Sequence, residues 1–309
     1  MNEIEKKDRN IDSDELIERL KKINNTLTNA LLDFDAIKEL LGVVDKHSCQ
    51  DEKQDTGKIM NPIEIIRLCE ITGNTVRLPK IQFNKTVYAK VKKLFENAGA
   101  QWEGNKTQAF VFPFNPERIM NDLKAGKEIN IQQDYQFFET PDEIADWMVE
   151  LAGGISPADC ILEPSAGQGA IIKAIHRKAP DIIVNYCEYM PENQEILKNI
   201  RNVNYLHYDF QKLDTGNKFS KIIANPPFSK NQDIEHVQKM YHHLTEDGTL
   251  VSITGVSWTF LDNKAAKHFR EWIHKVNAEV YDLPKGKFKD SGTGIETKIV
   301  VIRKKLSHE

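Results

Sequence analysis

The tetrapeptide Asn225-Pro226-Pro227-Phe228 has the residue types needed to bind an amine. Residues 222–224 before it are apolar and predict a buried strand, which the prolines end because they lack a backbone N–H. The amide oxygen of Asn225 and the nearby carbonyl groups can accept hydrogen bonds from an NH2 group, while Phe228 offers a flat apolar face. This corner suits chemistry on an amino group attached to a planar ring. A strand-terminating turn with a core phenylalanine explains the same four residues, and the tetrapeptide alone does not choose between the two interpretations.

Acidic residues stand at the ends of three further predicted strands. Glu163 follows residues 160–162, Glu188 follows residues 182–187, and Asp209 follows a strand near residues 205–208. Ligands of open α/β sheets bind at the carboxyl ends of such strands, so we expect these carboxylates to share one site with Asn225. A carboxylate at Glu188 can take both hydroxyls of a ribose. One at Asp209 can accept from an adenine amino group.

The turn after the first of these strands argues against a phosphate ligand. Gly167 and Gly169 allow tight backbone geometry before a predicted helix over residues 170–178. The third glycine of a dinucleotide fingerprint and the Gly-Lys-Ser/Thr of a P-loop are both missing. Glu163 would repel a pyrophosphate and attract a cation, so the pattern indicates a ligand with an ammonium or sulfonium group.

The order of predicted elements divides the chain into three parts. Residues 1–72 predict a helical segment: a long amphipathic helix starting near Ser13, then a short helix capped by Asn61 and ended by Gly73. Residues 73–133 predict a small α+β domain. Residues 134–309 alternate strands and helices, which is typical of a doubly wound α/β domain. The long helix either packs on the protein's own body, giving a monomer, or forms a dimer.

Composition and charge argue against several classes of protein and favour others. The four cysteines are scattered, so we expect neither a metal site nor a disulfide framework. No apolar run reaches the length of a membrane span, and we expect a cytoplasmic protein. Net charge is −4, yet residues 72–133 hold 10 Lys and Arg against 5 Asp and Glu. That surplus is compatible with a phosphate-contacting surface that includes Lys85, although a charged face that only keeps the domain soluble is more common.

A second basic stretch lies in the loop of the last predicted hairpin. Lys287 and Lys289 flank Phe288 there, among three glycines. One interpretation is a flexible lysine-rich hairpin tip. The other is a lid in which Phe288 stacks on a base while the lysines meet phosphates.

These motifs, in this order, resemble the S-adenosylmethionine-dependent DNA adenine-N6 methyltransferases with an NPP[FYW] motif, in particular the small methylases of phages and mobile elements. The resemblance covers roughly residues 137–305. It runs through FFETP, LEPSAGQG, Glu188, YDF, ANPPF and the Phe288 hairpin. It implies a Rossmann-like class I methyltransferase sheet, S-adenosylmethionine as cofactor, DNA as partner, and the modification half of a restriction-modification system or an orphan enzyme.

The resemblance also assigns roles to individual residues. The methionine part of the cofactor falls to Thr140, Glu163, Ala166, Gly167 and Gly169. Glu188 is expected to bind the ribose, and Tyr189, Asp209 and Phe210 the adenine. Asn225 and Pro226 would hold the target amine through their oxygens, with Pro227 and Phe228 completing the catalytic motif. Apart from the resemblance, the charge and aromatic patterns give Lys85, Lys287, Phe288 and Lys289 as candidate substrate contacts.

Many members of this family carry a target-recognition domain after the catalytic domain. We expect sequence reading here to come from residues 72–133, from the lysine-rich hairpin or from a partner. Two other activities fit the same corner: an RNA methyltransferase acting on adenine N6 or guanine N2, and a protein glutamine methyltransferase. The basic domain and the Phe288 loop favour nucleic acid over protein.

Overall fold

The structure is a computed structural model that describes residues 60–284 and 296–305. The predicted long N-terminal helix and three predicted substrate residues, Lys287, Phe288 and Lys289, lie outside the described residues. Within the described ranges the chain forms a small unit, residues 60–134, and a large unit, residues 135–305.

The small unit is a four-stranded antiparallel sheet packed against helices. Its elements in chain order are α1 (Pro62–Arg67), β1 (Glu70–Thr72), β2 (Thr75–Arg77), α2 (Lys85–Asn97), β3 (Gln101–Glu103), β4 (Ala109–Val111), α3 (Glu117–Lys124) and α4 (Ile131–Asp134). The strand order is β1-β2-β4-β3. Phe110 is part of its core, and the centroid of its ring lies 4.8 Å from that of Phe95 and 5.0 Å from that of Trp102.

Helix α1 begins where the sequence predicts and ends earlier. The Asn61 side chain accepts from the N–H groups of Ile63 and Glu64 at 2.9 and 3.0 Å, and Glu64 accepts from the Asn61 N–H, which completes a capping box. Gly73 does not end this helix, contrary to the prediction. It occupies the turn of the β1–β2 hairpin with φ +59°, because residues 70–72 pair with residues 75–77. The predicted boundary at residue 72 therefore falls inside this sheet.

The small unit shares its core with the large unit. Met190, from the large unit, is 1% exposed and is buried among the apolar residues of the small one, and Ile196 packs against the same core. Beside this contact, Arg118 Nε donates to Glu192 Oε1 at 2.5 Å, with the Glu192 side chain only 5% exposed. The two units are thus joined by both apolar and ionic contacts.

The large unit alternates strands and helices as predicted. Its elements are α5 (Asp142–Leu151), β5 (Ile161–Glu163), α6 (Ala170–Lys178), β6 (Val184–Cys187), α7 (Pro191–Leu197), β7 (Val203–His207), β8 (Phe219–Ala224), α8 (Gln232–His243), β9 (Leu244–Gly255), α9 (Ser257–Phe260), α10 (Lys264–Lys275), β10 (Glu279–Asp282) and β11 (Thr297–Arg303). Short 3-10 turns cover Phe210–Lys212 and Ser229–Asn231.

The sheet of the large unit has seven strands within the described residues, in the order β10-β11-β9-β8-β5-β6-β7. Strands β5 to β9 pair in parallel, and β11 runs antiparallel to both β9 and β10. This confirms the predicted Rossmann-like α/β fold. It also brings the carboxyl ends of β5, β6, β7 and β8 to one edge, where the candidate carboxylates and Asn225 were expected to meet.

Both faces of this sheet are covered, as parallel sheets require. Neighbouring residues alternate between the two cores: Ile223 packs with α5 and α6, whereas Ile222 packs with α8 and α10. All of the described central strand residues Ile222, Ile223 and Ala224 are fully buried. The prolines that follow end this buried strand at the site edge. No helix in the described ranges is long and apolar enough to cross a membrane.

Candidate active site

A cavity of about 480 Å³ opens at the carboxyl edge of the large sheet. It collects residues from the loops after β5, β6, β7 and β8 and from the segment before α5. The predicted site residues that line it are Thr140, Glu163, Ala166, Gly167, Glu188, Tyr189, Asp209, Phe210, Asn225 and Pro227. The ordered motifs of the sequence thus converge on one cavity.

Four of the predicted site residues that the structure describes do not line this cavity. Gly169 caps helix α6 with φ +79°, and a Cβ there would lie 2.6 Å from the Ile200 side chain, so close packing explains this glycine. Pro226 is buried, and Lys85 is exposed at the start of α2 in the small unit. Phe228 instead packs its ring on that of Phe138, with centroids 6.0 Å apart and planes 13° from parallel.

The amide of Asn225 presents its oxygen as an unused acceptor. Its Nδ2 donates to the carbonyl oxygen of Phe138 at 3.1 Å and to Oγ1 of Thr140 at 3.0 Å. Its Oδ1 is buried, and no described residue hydrogen-bonds to it. Because buried polar atoms in folded proteins are nearly always paired, this oxygen indicates a site for a donor that the protein does not itself supply.

Glu188 links the glycine turn to the next loop. Its Oε2 accepts from the N–H of Gly167 at 2.7 Å, and its Oε1 accepts from the N–H of Met190 at 2.8 Å and from Nδ2 of Asn193 at 3.3 Å. Burial raises the pKa of Glu188 to about 7 even though these N–H groups favour its charged form. A carboxylate oxygen accepts more than one hydrogen bond, so Glu188 keeps capacity for hydroxyl donors.

Glu163 ends β5 and is 2% exposed. Burial first, and the charge of Glu188 second, raise its pKa well above the ordinary value. Its Oε2 has no hydrogen-bond partner within the described part of the chain. A buried carboxyl group in this state is stabilised by a cation or by a new donor, which fits the ammonium or sulfonium ligand predicted from the sequence.

Asp209 and the aromatic residues form the other end of the cavity. Asp209 Oδ1 accepts from the N–H of Gln211 at 2.9 Å, and Oδ2 lies 3.7 Å from Nζ of Lys212. Phe210 is 3% exposed and forms a wall. Tyr189 is 61% exposed, and its ring centroid lies 5.8 Å from that of Tyr208. This end of the cavity is therefore open to solvent along its tyrosine rim.

The structure adds cavity residues that were not predicted from the sequence as site residues. They include Phe138, Tyr208, Gln232 and His236. His236, on α8, is 7% exposed, its Nδ1 has no partner among the residues described, and burial lowers its pKa to about 4. Phe138 and Tyr208 stood within quoted motifs, FFETP and YDF, and could have been found there. Nothing in the sequence around His236 distinguishes it from a core histidine.

The chain is similar to type II methyltransferases. It is 26% identical over 185 residues to M.CvrRI of Paramecium bursaria Chlorella virus XZ-6E, covering 54% of this chain and 48% of that one. It is 32% identical over 129 residues to M.AccI of Acinetobacter calcoaceticus, covering 39% of this chain and 24% of that one. The chain therefore spans about half the length of the first relative and a quarter of the second. No family model matches it.

Solved structures show more distant likenesses. One is a Listeria monocytogenes protein assigned to the class I S-adenosylmethionine-dependent methyltransferases, with a TM-score of 0.47 and 12% identity over 62% of this chain and 68% of that one. Another is a Vibrio vulnificus protein assigned as the modification subunit of a type I restriction enzyme, with a TM-score of 0.45 and 14% identity over 73% of this chain and 51% of that one.

Proposed function

We propose that the protein transfers a methyl group from S-adenosylmethionine to the exocyclic N6 amine of adenine in DNA. The observation that carries this proposal is the buried, unused Oδ1 of Asn225 in a cavity that also holds Glu163, Glu188 and Asp209. The names of the two relatives, both type II methyltransferases, support the reaction class and DNA as its substrate.

The cofactor is assigned to the carboxylate-lined part of the cavity. Glu163 would face its cationic methionine part together with Ala166 and Gly167, and Glu188 would accept from the ribose hydroxyls. Asp209 and Phe210 would hold the adenine, with Tyr189 covering it from the open rim. When bound, S-adenosylmethionine supplies an electrophilic methyl group on sulfur.

The amine is assigned to the Asn225 corner. An exocyclic amine of a nucleobase is a weak nucleophile because its lone pair is delocalised into the ring. Hydrogen bonds from its two protons to Oδ1 of Asn225 and to the carbonyl oxygen of Pro226 favour a pyramidal nitrogen, and holding that nitrogen in line with the methyl group supplies much of the rate.

The target base must leave the double helix to reach this corner. Unstacking costs on the order of a few kcal/mol, and stacking on an aromatic side chain of the site offsets part of that cost. The basic small unit, with Lys85 on α2, is proposed to contact the DNA backbone. Lys287, Phe288 and Lys289 are proposed to contact the backbone and the flipped base.

Methyl transfer from labelled cofactor tests this proposal. The substrates are duplex DNA, single-stranded DNA, RNA and protein, each followed by digestion and analysis of the labelled nucleoside or amino acid. We expect label in N6-methyladenine of DNA. Label confined to RNA, as N6-methyladenine or N2-methylguanine, or to protein glutamine would replace the proposal with one of those activities.

The role of Asn225 is tested separately with a matched asparagine. Asn225→Ala should bind cofactor normally and lose at least about a hundredfold in rate, the size of loss seen when one catalytic hydrogen-bonding group is removed. Asn199→Ala is the control, because its Nδ2 only donates to the Glu195 carbonyl oxygen on α7, at 3.0 Å. Full activity in Asn225→Ala would contradict the assigned role.

A further inference from the structure

The side-chain amide of Asn225 is held by two residues of one distant segment. Nδ2 donates to the carbonyl oxygen of Phe138 and to Oγ1 of Thr140, at 3.1 and 3.0 Å. An asparagine amide has two N–H donors, and these two acceptors use both of them. The bonds cross 87 and 85 positions of sequence, so the tertiary fold rather than the local chain builds this contact.

The acceptor at Phe138 decides which way the amide faces. A backbone carbonyl oxygen carries no hydrogen, so it can pair with Nδ2 and not with Oδ1. A flipped amide would bring Oδ1 against the Phe138 carbonyl oxygen and lose that bond, although the Thr140 hydroxyl can pair with either end of the amide. Oδ1 is therefore directed away from residues 138–140, and it is left buried and unpaired within the described ranges.

The same segment also contacts the far end of the tetrapeptide. The ring of Phe138 stacks on that of Phe228, with centroids 6.0 Å apart. Residues 138–140 consequently hold the first residue of the tetrapeptide by hydrogen bonds and the last by ring packing. Thr140 is 7% exposed, so water competes poorly for its hydroxyl oxygen.

We propose that Thr140 is a positioning residue for the amine site. It fixes the amide of Asn225 so that Oδ1 is ready to accept a proton of the substrate amine, a role that rests on the proposed function. The resemblance assigns Thr140 instead to the methionine part of the cofactor. In the structure, Oγ1 of Thr140 accepts a hydrogen bond from Nδ2 of Asn225. The hydroxyl hydrogen of Thr140 can still donate to a second partner.

The physical reason for such a device is the softness of the asparagine torsion. Rotation about Cβ–Cγ has broad minima, so an unsupported amide samples many orientations. Only the orientation with Oδ1 towards the amine helps the reaction, and misplacement by a small distance lowers the rate without weakening cofactor binding. Phe138 supplies a main-chain acceptor that side-chain substitution leaves in place, which makes the Thr140 contribution separable.

The kinetic test compares Thr140→Val with Thr140→Ser. Valine has nearly the same shape but no acceptor, and we expect a roughly tenfold lower single-turnover rate at saturating cofactor, with cofactor Kd within about twofold of wild type. Thr140→Ser keeps the hydroxyl and should restore the rate to within about threefold. An increased cofactor Kd with an unchanged saturated rate would overturn the proposal and support the cofactor role.

A double-variant cycle shows whether Thr140 acts through Asn225. In the Asn225→Ala background, Thr140→Val should change the remaining rate by less than about twofold, because the amide it positions is gone. An equal fold-loss in both backgrounds would show an independent, merely structural role and overturn the proposal.

A third measurement does not depend on activity. In side-chain NMR of wild type, the NH2 protons of Asn225 should exchange with solvent far more slowly than those of the exposed Asn105, and Thr140→Val should accelerate that exchange. Free exchange at Asn225 in the wild type would overturn the positioning role. If wild type methylates none of the substrates while its Asn225 protons are protected, the proposed function fails and the positioning contact stands.

Discussion

The carboxyl groups of Glu163 and Glu188 lie in the same cavity, where burial first and the charge of Glu188 second raise the pKa of Glu163. Both side chains are buried, at 2% and 7% exposure. Two buried acids that repel each other cannot both ionise without cost, so the pair is more stable when a cation or a proton accompanies it.

The first prediction concerns Glu163→Gln. We expect this variant to bind S-adenosylmethionine roughly ten- to a hundredfold more weakly, because a charged acceptor is replaced by a neutral one. Its unfolding free energy without cofactor should exceed that of wild type at pH 8, since an acid whose pKa is raised by folding costs stability once the pH is above the pKa of the unfolded chain. Isothermal titration calorimetry and urea unfolding measure the two effects.

A control separates the two cationic groups of the cofactor. S-adenosylhomocysteine keeps the ammonium group and lacks the sulfonium. Equal weakening of both ligands by Glu163→Gln assigns the carboxyl to the ammonium, and weakening of S-adenosylmethionine alone assigns it to the sulfonium. Unchanged affinity for both ligands would contradict any cation role for Glu163.

The second prediction concerns pH. Because the pKa of Glu188 is about 7 in the folded protein, the ionised form that accepts from ribose hydroxyls is lost as pH falls below 7. Cofactor affinity should therefore fall roughly tenfold between pH 8 and pH 6. Calorimetric titrations at pH 6, 7 and 8 measure it. In Glu188→Gln the affinity should be lower and nearly flat over this range, and a flat profile in the wild type would contradict the prediction.

The third prediction concerns His236. Its pKa is about 4 in the folded protein against an ordinary value near 6.5, so the unfolded chain binds the proton first as pH falls. As the pH falls from 6.5 to 4, His236 therefore lowers the free energy of unfolding, by up to about 3 kcal/mol. Glu188 acts in the opposite direction, because protonating it between pH 7 and 4.5 favours the folded state.

Comparing wild type with His236→Phe isolates the histidine. Phenylalanine keeps a planar ring beside Phe210, whose centroid lies 5.4 Å from that of His236. Relative to wild type, the unfolding free energy of His236→Phe should rise by about 2 to 3 kcal/mol when the pH is lowered from 7 to 4.5. Urea unfolding at the two pH values measures it, and a constant difference would show that His236 is not held neutral.

The fourth prediction compares two glycines with similar backbone angles. Gly169 has φ +79° and its added Cβ would lie 2.6 Å from Ile200, whereas Gly154 has φ +74° and no described atom within 4 Å of that position. Gly154→Ala should cost about 1 kcal/mol, the cost of the left-handed conformation alone. Gly169→Ala should cost roughly 1 to 2 kcal/mol more because of the contact. Urea unfolding measures both, and equal losses would show that Ile200 moves aside freely.

Much of the fold followed from local patterns. The helix over residues 170–178 and the capped start of α1 were predicted because glycine, asparagine and proline act within one turn of chain. The strand ends that carry Glu188 and Asn225 followed from buried apolar runs with an abrupt stop. Helix α7 was not predicted, since Pro191–Leu197 is short and its two large apolar residues, Ile196 and Leu197, pack against different cores.

The site was predictable as a set of residues and not as a geometry. The order of the motifs indicates which residues meet, because parallel strands end at one edge. The bonds from Asn225 to Phe138 and Thr140, and the burial of His236, depend on contacts between segments far apart in sequence. The periodicity and spacing of residues in the sequence do not indicate such contacts. The orientation of the Asn225 amide therefore could be determined only from the structure.

Because Met190 is buried in the core of the small unit, the large unit cannot be separated from the small one without exposing apolar surface. A fragment starting at residue 135 would present Met190 and Ile196 to water and leave the Glu192 carboxylate without Arg118. Such a fragment is expected to aggregate rather than to work as a detached enzyme. A chimera made from related chains has to keep residues 60–134 together with the large unit of the same chain. Otherwise it has to replace the contacting surfaces of both units together.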